Sequence, residues 1–149
     1  MKLKVYRIRN TAKLPDRAHD NDAGMDLFYC PEDPGLSLVI PKGASALLQT
    51  GVKIGVPSGH MLQVMNKSGI ATKRQLVVGA CVVDSGYNGE IFVNLQNIGP
   101  KTQLVEPGQK IAQAVLVPVI IPKLEEISQD AVYESATSRD TGGFGSTGV

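Results

Sequence analysis

Glycine and proline cut this chain of 149 residues into pieces too short for anything but strands and turns. Sixteen glycines and nine prolines punctuate it, and turn signals recur roughly every 8–12 residues. The apolar runs between them are brief and often alternate: residues 3–8, 23–29, 36–40, 46–50, 52–56 and 60–65, then 76–78, 81–83, 90–95 and 103–105. That rhythm predicts an all-β chain of ten or more short strands, as a sandwich, a jelly roll or a closed barrel. Residues 68–74 depart from it. They lack strand alternation and open on Ser68, a good N-cap, which predicts one short helical turn. Residues 111–121 are apolar on both faces in places and read as the most buried strand pair, with Pro118 limiting regular pairing. Residues 127–133 read as a closing edge strand. From residue 135 onward Ser, Thr and Gly replace packable side chains, so the expected organisation is one β-domain over 1–134 and a flexible tail over 135–149.

Several function classes are disfavoured at once. A net charge of +1 gives no basic field for general nucleic-acid or anionic-membrane binding. Cys30 and Cys81 have no CxxC spacing, and His19 and His60 stand far apart, so no zinc constellation is expected. No apolar run reaches the roughly 18 residues of a membrane span, and Met1-Lys2-Leu3-Lys4 leads into alternating sequence without an apolar signal core. A soluble protein of a reducing, cytoplasmic compartment is expected.

Three stretches carry the parts for chemistry. In Val82-Val83-Asp84-Ser85-Gly86-Tyr87-Asn88-Gly89-Glu90-Ile91, two β-runs flank a polar turn, which predicts a hairpin. Asp84 fits there as a turn former. Directly after two valines it is also expected to be partly shielded, where a carboxylate can act as general base. Tyr87 is a surface aromatic or a plate for a sugar or base. Asn66-Lys67-Ser68-Gly69 joins a cation and a hydroxyl to a helix start, which is an ordinary cap or a phosphate-binding end. The stretch from Arg139 through Phe144 and Gly145 to Ser146 and Thr147 is a plain tail by composition. It also holds a guanidinium, hydroxyls, glycine N–H groups and one ring, the parts for clasping a polyphosphate and covering a base. Asp26 and Gln113 are weak alone: one reads as a surface carboxylate, the other as a hydrogen-bonded strand residue.

Taken in order, five stretches resemble the trimeric dUTP diphosphatase (dUTPase) family over nearly the whole chain: Ala23-Gly24-Met25-Asp26-Leu27, Lys67-Ser68-Gly69-Ile70-Ala71, Gly79 through Gly89, Pro107 through Gln113, and Arg139 through Gly148. The resemblance implies a jelly-roll-like β-barrel subunit, a homotrimer with active sites at subunit interfaces, and the tail of one chain closing over a site built by two others. It implies hydrolysis of dUTP to dUMP and pyrophosphate with Mg²⁺, limiting uracil in DNA and supplying dUMP for thymidylate synthesis. Asp84 would activate the attacking water, and Asp26 would hold waters of the metal ion. Lys67, Ser68, Gly69 and Gln113 would contact phosphate oxygens. The hairpin between Gly79 and Tyr87, Val83 included, would receive uracil, with Tyr87 against the deoxyribose. Arg139 would grip the γ-phosphate, Phe144 cover the base, and Gly145, Ser146 and Thr147 complete the phosphate shell. No direct nucleic-acid or membrane partner is implied, and a virus-encoded member would work inside its host cell.

The departures from the family pattern are specific. Lys67 stands for an arginine and lacks its bidentate fork. Cys81 replaces a usual glycine, and Gly86 a common aspartate. dCTP deaminase shares the implied fold, but its deamination needs a glutamate on the strand after the hairpin. Asn94 occupies the matching position, so no deamination is expected. A fold kept only to bind a protein partner is the other alternative; retention of Asp26, Asp84, Tyr87, Arg139 and Phe144 speaks against it.

Overall fold

The computed structural model describes residues 1–133, 135 and 142–143. Eleven strands and one α-helix form among them. The strands are β1 (Lys4–Arg7), β2 (Met25–Phe28), β3 (Leu38–Ile40), β4 (Ser45–Gln49), β5 (Val52–Gly55) and β6 (His60–Met65). The helix α1 (Ser68–Arg74) follows, then β7 (Leu76–Val78), β8 (Val82–Val83), β9 (Phe92–Asn97), β10 (Gln103–Val105) and β11 (Lys110–Pro118). All pairings are antiparallel, and most neighbours are distant in sequence: β2-β11-β6-β8 and β4-β9-β7 are the larger sheets, β1-β5 and β3-β10 the smaller. This crossing, mostly-strand architecture with one short helix is the expected jelly-roll-like fold.

The core lies between the sheets and is built by alternation. Leu27, Leu62, Val64, Ala112 and Ala114 face inward from the four-stranded sheet, and Leu48, Leu76, Val93 and Leu95 from the three-stranded one. Ala112 and Ala114 are completely buried on the strand between β2 and β6. Among the described residues no helix is long and apolar enough to cross a membrane.

Four expectations need correction. Residues 111–121 hold no strand pair: 111–118 belong to one nine-residue strand, Lys110–Pro118, which ends at a proline that offers no N–H to the ladder, and 119–121 lie beyond it. Residues 127–133 hold a 3₁₀ turn, Gln129–Ala131, instead of an edge strand. The helix has seven residues, about two turns, and its N-cap is Lys67; Ser68 is already helical and makes no cap bond. Finally, β8 pairs with β6 while β9 pairs with β4 and β7, so residues 82–91 cross between sheets and form no hydrogen-bonded hairpin. The 135–149 tail falls almost wholly outside the described residues.

Candidate active site

Strand β8 feeds a tight turn closed by the Tyr87 N–H on the Asp84 carbonyl at 3.2 Å, with Gly86 at φ +88°. That left-handed backbone explains glycine where the family pattern has aspartate, because a side chain there is strained. The turn is braced throughout. Ser85 Oγ donates to the Val56 carbonyl at 3.3 Å, and Tyr87 Oη donates to the Glu90 carbonyl at 3.0 Å. A Cβ on Gly89 would stand 2.2 Å from Tyr87 Oη, so glycine lets the phenol lie back over the turn. Glu90 accepts from the Gly51 N–H at 2.7 Å and pairs with Arg9, whose guanidinium also reaches the Cys30 carbonyl. Burial alone would lower the Arg9 pKa, but its hydrogen bonds to Glu90 and Cys30 outweigh that and raise it.

Against this turn lies a cavity of about 210 Å³, lined among others by Leu47, Val83, Asp84, Tyr87, Phe92 and Asn94. Its size is below the roughly 300–1,000 Å³ of drug-sized sites and suits one planar ring. Its walls are largely apolar, with Asp84 at the rim. Contrary to expectation, Asp84 is exposed in the single chain, because it sits on the turn beyond the last paired residue of β8. Tyr87 is also exposed, at 48%.

A second cavity, of about 410 Å³, opens on the four-stranded sheet across β2, β11 and the end of β6. Asp26, Lys67 and Gln113 line it, with Asp22 and Gly24. Gln113 pairs across the ladder with both Asp26 and Met65, so Asp26 and Gln113 share a face. Gln113 Nε2 donates to the Asn66 carbonyl at 2.9 Å. A Cβ on Gly24 would lie 2.0 Å from Gln113 Oε1, so the glycine makes room for this carboxamide.

Asp26 is not the surface carboxylate its isolated reading suggests. It is 4% exposed and held by two lysines, Lys67 Nζ on Oδ1 and Lys110 Nζ on Oδ2, each at 2.6 Å. Burial pushes its carboxyl pKa up, yet the hydrogen bonds from Lys110 and Lys67 overcome this and hold it below the usual value. Lys110 is raised in turn, chiefly by its hydrogen bond to Asp26. Sequence reasoning missed Lys110. It lies within the fourth motif, but its reach depends on a register shift between Lys110 and Ala112, which brings its side chain onto the face of Asp26.

The helix start presents Ser68 and Gly69 to solvent beside Lys67. Helix α1 is tied down by Arg74, which donates to the Leu104 carbonyl at 2.5 Å, Gln103 Oε1 at 3.1 Å and Gln109 Oε1 at 3.3 Å. The second motif is thereby fixed to the fourth.

The chain thus brings Asp26, Lys67 and Gln113 together, with Ser68 and Gly69 beside Lys67, and brings Val83, Asp84 and Tyr87 together elsewhere. It does not unite the two groups. Strands β2 and β8 stand three spacings apart in the sheet, about 14 Å. Gly79 lies just outside the second group's cavity, close to Asn94 and Gln96 of β9. Arg139, Phe144, Gly145, Ser146 and Thr147 lie outside the described residues.

The crossing antiparallel sheets, with a ring-sized cavity beside β8 and a polar cavity around Asp22, Asp26 and Lys67, define a jelly-roll-like β class. A family model for dUTPase matches residues 10–148. The deoxyuridine 5'-triphosphate nucleotidohydrolase of Alkaliphilus metalliredigens is 44% identical, over 99% of this chain and 97% of the relative. That of Crocosphaera subtropica is 40% identical over the full length of both. Among solved structures, the Staphylococcus bacteriophage 80alpha dUTPase with dUPNHPP superposes with a TM-score of 0.87 at 27% identity, covering 99% of each chain. A dUTPase of S. aureus phage phi11, whose structure details the coordination of a structural Mg(II) ion, gives 0.79 at 25% identity over 91% of this chain and all of that one. The chain belongs to the dUTPase family.

Proposed function

We propose that the chain hydrolyses dUTP to dUMP and pyrophosphate. One observation carries the reading: Asp84, the proposed base for the attacking water, and Tyr87, the proposed deoxyribose contact, border one ring-sized cavity at the end of β8. The full-length likeness to named deoxyuridine triphosphate nucleotidohydrolases supports it.

Uracil enters the cavity beside residues 79–83, and Tyr87 packs against the deoxyribose. Uracil presents acceptor, donor and acceptor along its pairing edge. Cytosine presents an amino group and a bare ring nitrogen instead, which would leave backbone groups unpaired. The Asp84 carboxylate takes a proton from water, whose oxygen bonds to the α-phosphorus. The bridging oxygen then leaves with pyrophosphate. Lys67, Ser68, Gly69 and Gln113 bind the phosphate oxygens, where positioning and charge stabilisation do most of the catalytic work.

The donors around Asp26 fit a Mg²⁺ ion that arrives on a triphosphate. Asp26 and Asp22 offer carboxylate oxygens and Gln113 a carboxamide oxygen, and Mg²⁺ favours a few protein oxygens with phosphates and retained waters. Such an ion would supply neutralisation of phosphate charge. Asp26 would hold it through waters once Lys67 and Lys110, which now occupy its two oxygens, turn to phosphate oxygens.

The two half-sites become one in a homotrimer, where a subunit's Asp84 edge meets its neighbour's Asp26 edge. Ile120, Ile121 and Leu124 support the assembly: all are at least 78% exposed, on a segment without a strand partner among the described residues. The tail residues Arg139, Phe144, Gly145, Ser146 and Thr147 close over the nucleotide from a further chain. The activity would limit uracil in DNA and supply dUMP in the cytoplasm, or in a host cell if the chain is virus-encoded. Pyrophosphate release measured with dUTP, dCTP, dTTP and UTP in the presence of Mg²⁺ tests this reading. Release from dUTP alone is expected; no release, or equal release from all four, overturns it.

A further inference from the structure

The floor of the ring-sized cavity holds a carboxamide that the proposed reaction does not use. Strand β9 turns Val93 and Leu95 into the core, each at most 1% exposed, and sends Phe92, Asn94 and Gln96 to the opposite face. Phe92 and Asn94 line the cavity with Leu47, which lies across the ladder from Asn94.

Asn94 makes three bonds there. Its Nδ2 donates to the Ala46 carbonyl of β4 at 3.3 Å, its Oδ1 accepts from the Ala80 N–H at 3.3 Å, and its own carbonyl accepts from the Gly79 N–H at 3.0 Å. The approach is so close that a Cβ on Gly79 would stand 2.2 Å from Asn94 Oδ1 and 2.6 Å from Gln96 Nε2. Glycine at 79 is therefore what admits the carboxamide. One residue thus ties the stretch 79–80 to the three-stranded sheet, its backbone carbonyl holding Gly79 and its side chain holding Ala80, where Ala80 begins to wall the cavity.

Resting on the dUTPase reading, we propose that Asn94 is a specificity-determining positioning residue. It holds the Gly79–Ala80 backbone at one distance and orientation from the base. A polar site rejects a near-isostere because mismatched groups are left unpaired, and this penalty exists only while the site's own groups cannot move to re-pair. Without the Asn94 amide the Ala80 N–H loses its partner and the stretch can shift. Cytosine is then accommodated at lower cost, and uracil meets a less preorganised wall.

Steady-state kinetics with dUTP and dCTP on wild type, Asn94→Ala, Asn94→Asp and Gly79→Ala test the proposal. Asn94→Ala is expected to raise KM for dUTP about tenfold while changing kcat less than about twofold, and to lower the dUTP:dCTP ratio of kcat/KM about tenfold. Asn94→Asp keeps an acceptor for the Ala80 N–H and retains most of that ratio. Gly79→Ala evicts the carboxamide and reproduces the loss without touching Asn94. Should Asn94→Ala fail to fold in a thermal melt, the contrast between Gly79→Ala and Asn94→Asp decides. A folded Asn94→Ala with an unchanged ratio, or equal ratios in Gly79→Ala and Asn94→Asp, overturns the proposal while leaving dUTP hydrolysis standing. A wild type inactive on dUTP overturns both.

Discussion

At the scale of single residues, two carboxylates stand in opposite surroundings. Asp84 is exposed on its turn, a position from which the proposed proton acceptor can reach a water. Asp84→Asn is expected to lower kcat by at least about 100-fold with KM nearly unchanged, read in a pyrophosphate-release assay. Unaltered turnover would remove Asp84 from its role. Asp26 is instead buried between two ammonium groups, and its lowered pKa ties it to stability. The unfolded chain, with the carboxyl near its ordinary value of about 3.9, binds the proton more readily than the folded one. The contribution is therefore present above about pH 4 and disappears as pH falls through the depressed folded value. Asp26→Asn should flatten the acid limb of a plot of Tm against pH; a parallel shift of the whole curve would contradict this.

At the scale of elements, the middle strand of the four-stranded sheet organises the second cavity. β11 carries Gln113 opposite Asp26, and the register shift near its start turns Lys110 to the same side. Its inner face is small because it packs in the crowded centre, with Ala112 and Ala114 fully buried. Next to it on β6, Leu62 is also fully buried. Leu62→Ala should cost about 2–5 kcal/mol of stability in a denaturant titration, through lost transfer energy and a residual cavity. A loss below about 1 kcal/mol would mean the site collapses around the deletion. Gly24→Ala acts differently: the added methyl would meet Gln113 Oε1 at 2.0 Å and displace it. Its expected mark is a KM for dUTP several-fold higher.

At the scale of the whole molecule, one chain presents two separate cavities, one beside β8 and one across β2, β11 and the end of β6, which the proposed function reads as two half-sites. A closed ring lets each subunit give one edge and receive another, and the homotrimer proposed above is such a ring. Sedimentation should report three times the chain mass of 15.8 kDa, and a monomer at assay concentrations with full activity would refute the shared site. Removing the residues after position 136 should leave the oligomer folded, because that stretch carries almost nothing to pack, while kcat/KM falls at least tenfold or so. A truncated chain working at full rate would make the cover dispensable.

What the amino-acid sequence determined by itself was local. Turn residues and alternation placed β6 and β10 to the residue and the span of α1 as well, because backbone preference and side-chain period act within a few positions. The five ordered motifs marked Asp26, Lys67, Gln113, Val83, Asp84 and Tyr87, which do line the two cavities. Tertiary structure alone decided which strands pair, since antiparallel pairing at long range depends on shared burial and leaves no mark in local periodicity. Hence Val82-Val83 and Phe92 onward, which look like the arms of one hairpin, go to different sheets. The partners of Asp26 were hidden for the same reason: Lys67 and Lys110 lie 41 and 84 positions away along the chain, and only the fold sets their charges against its carboxylate.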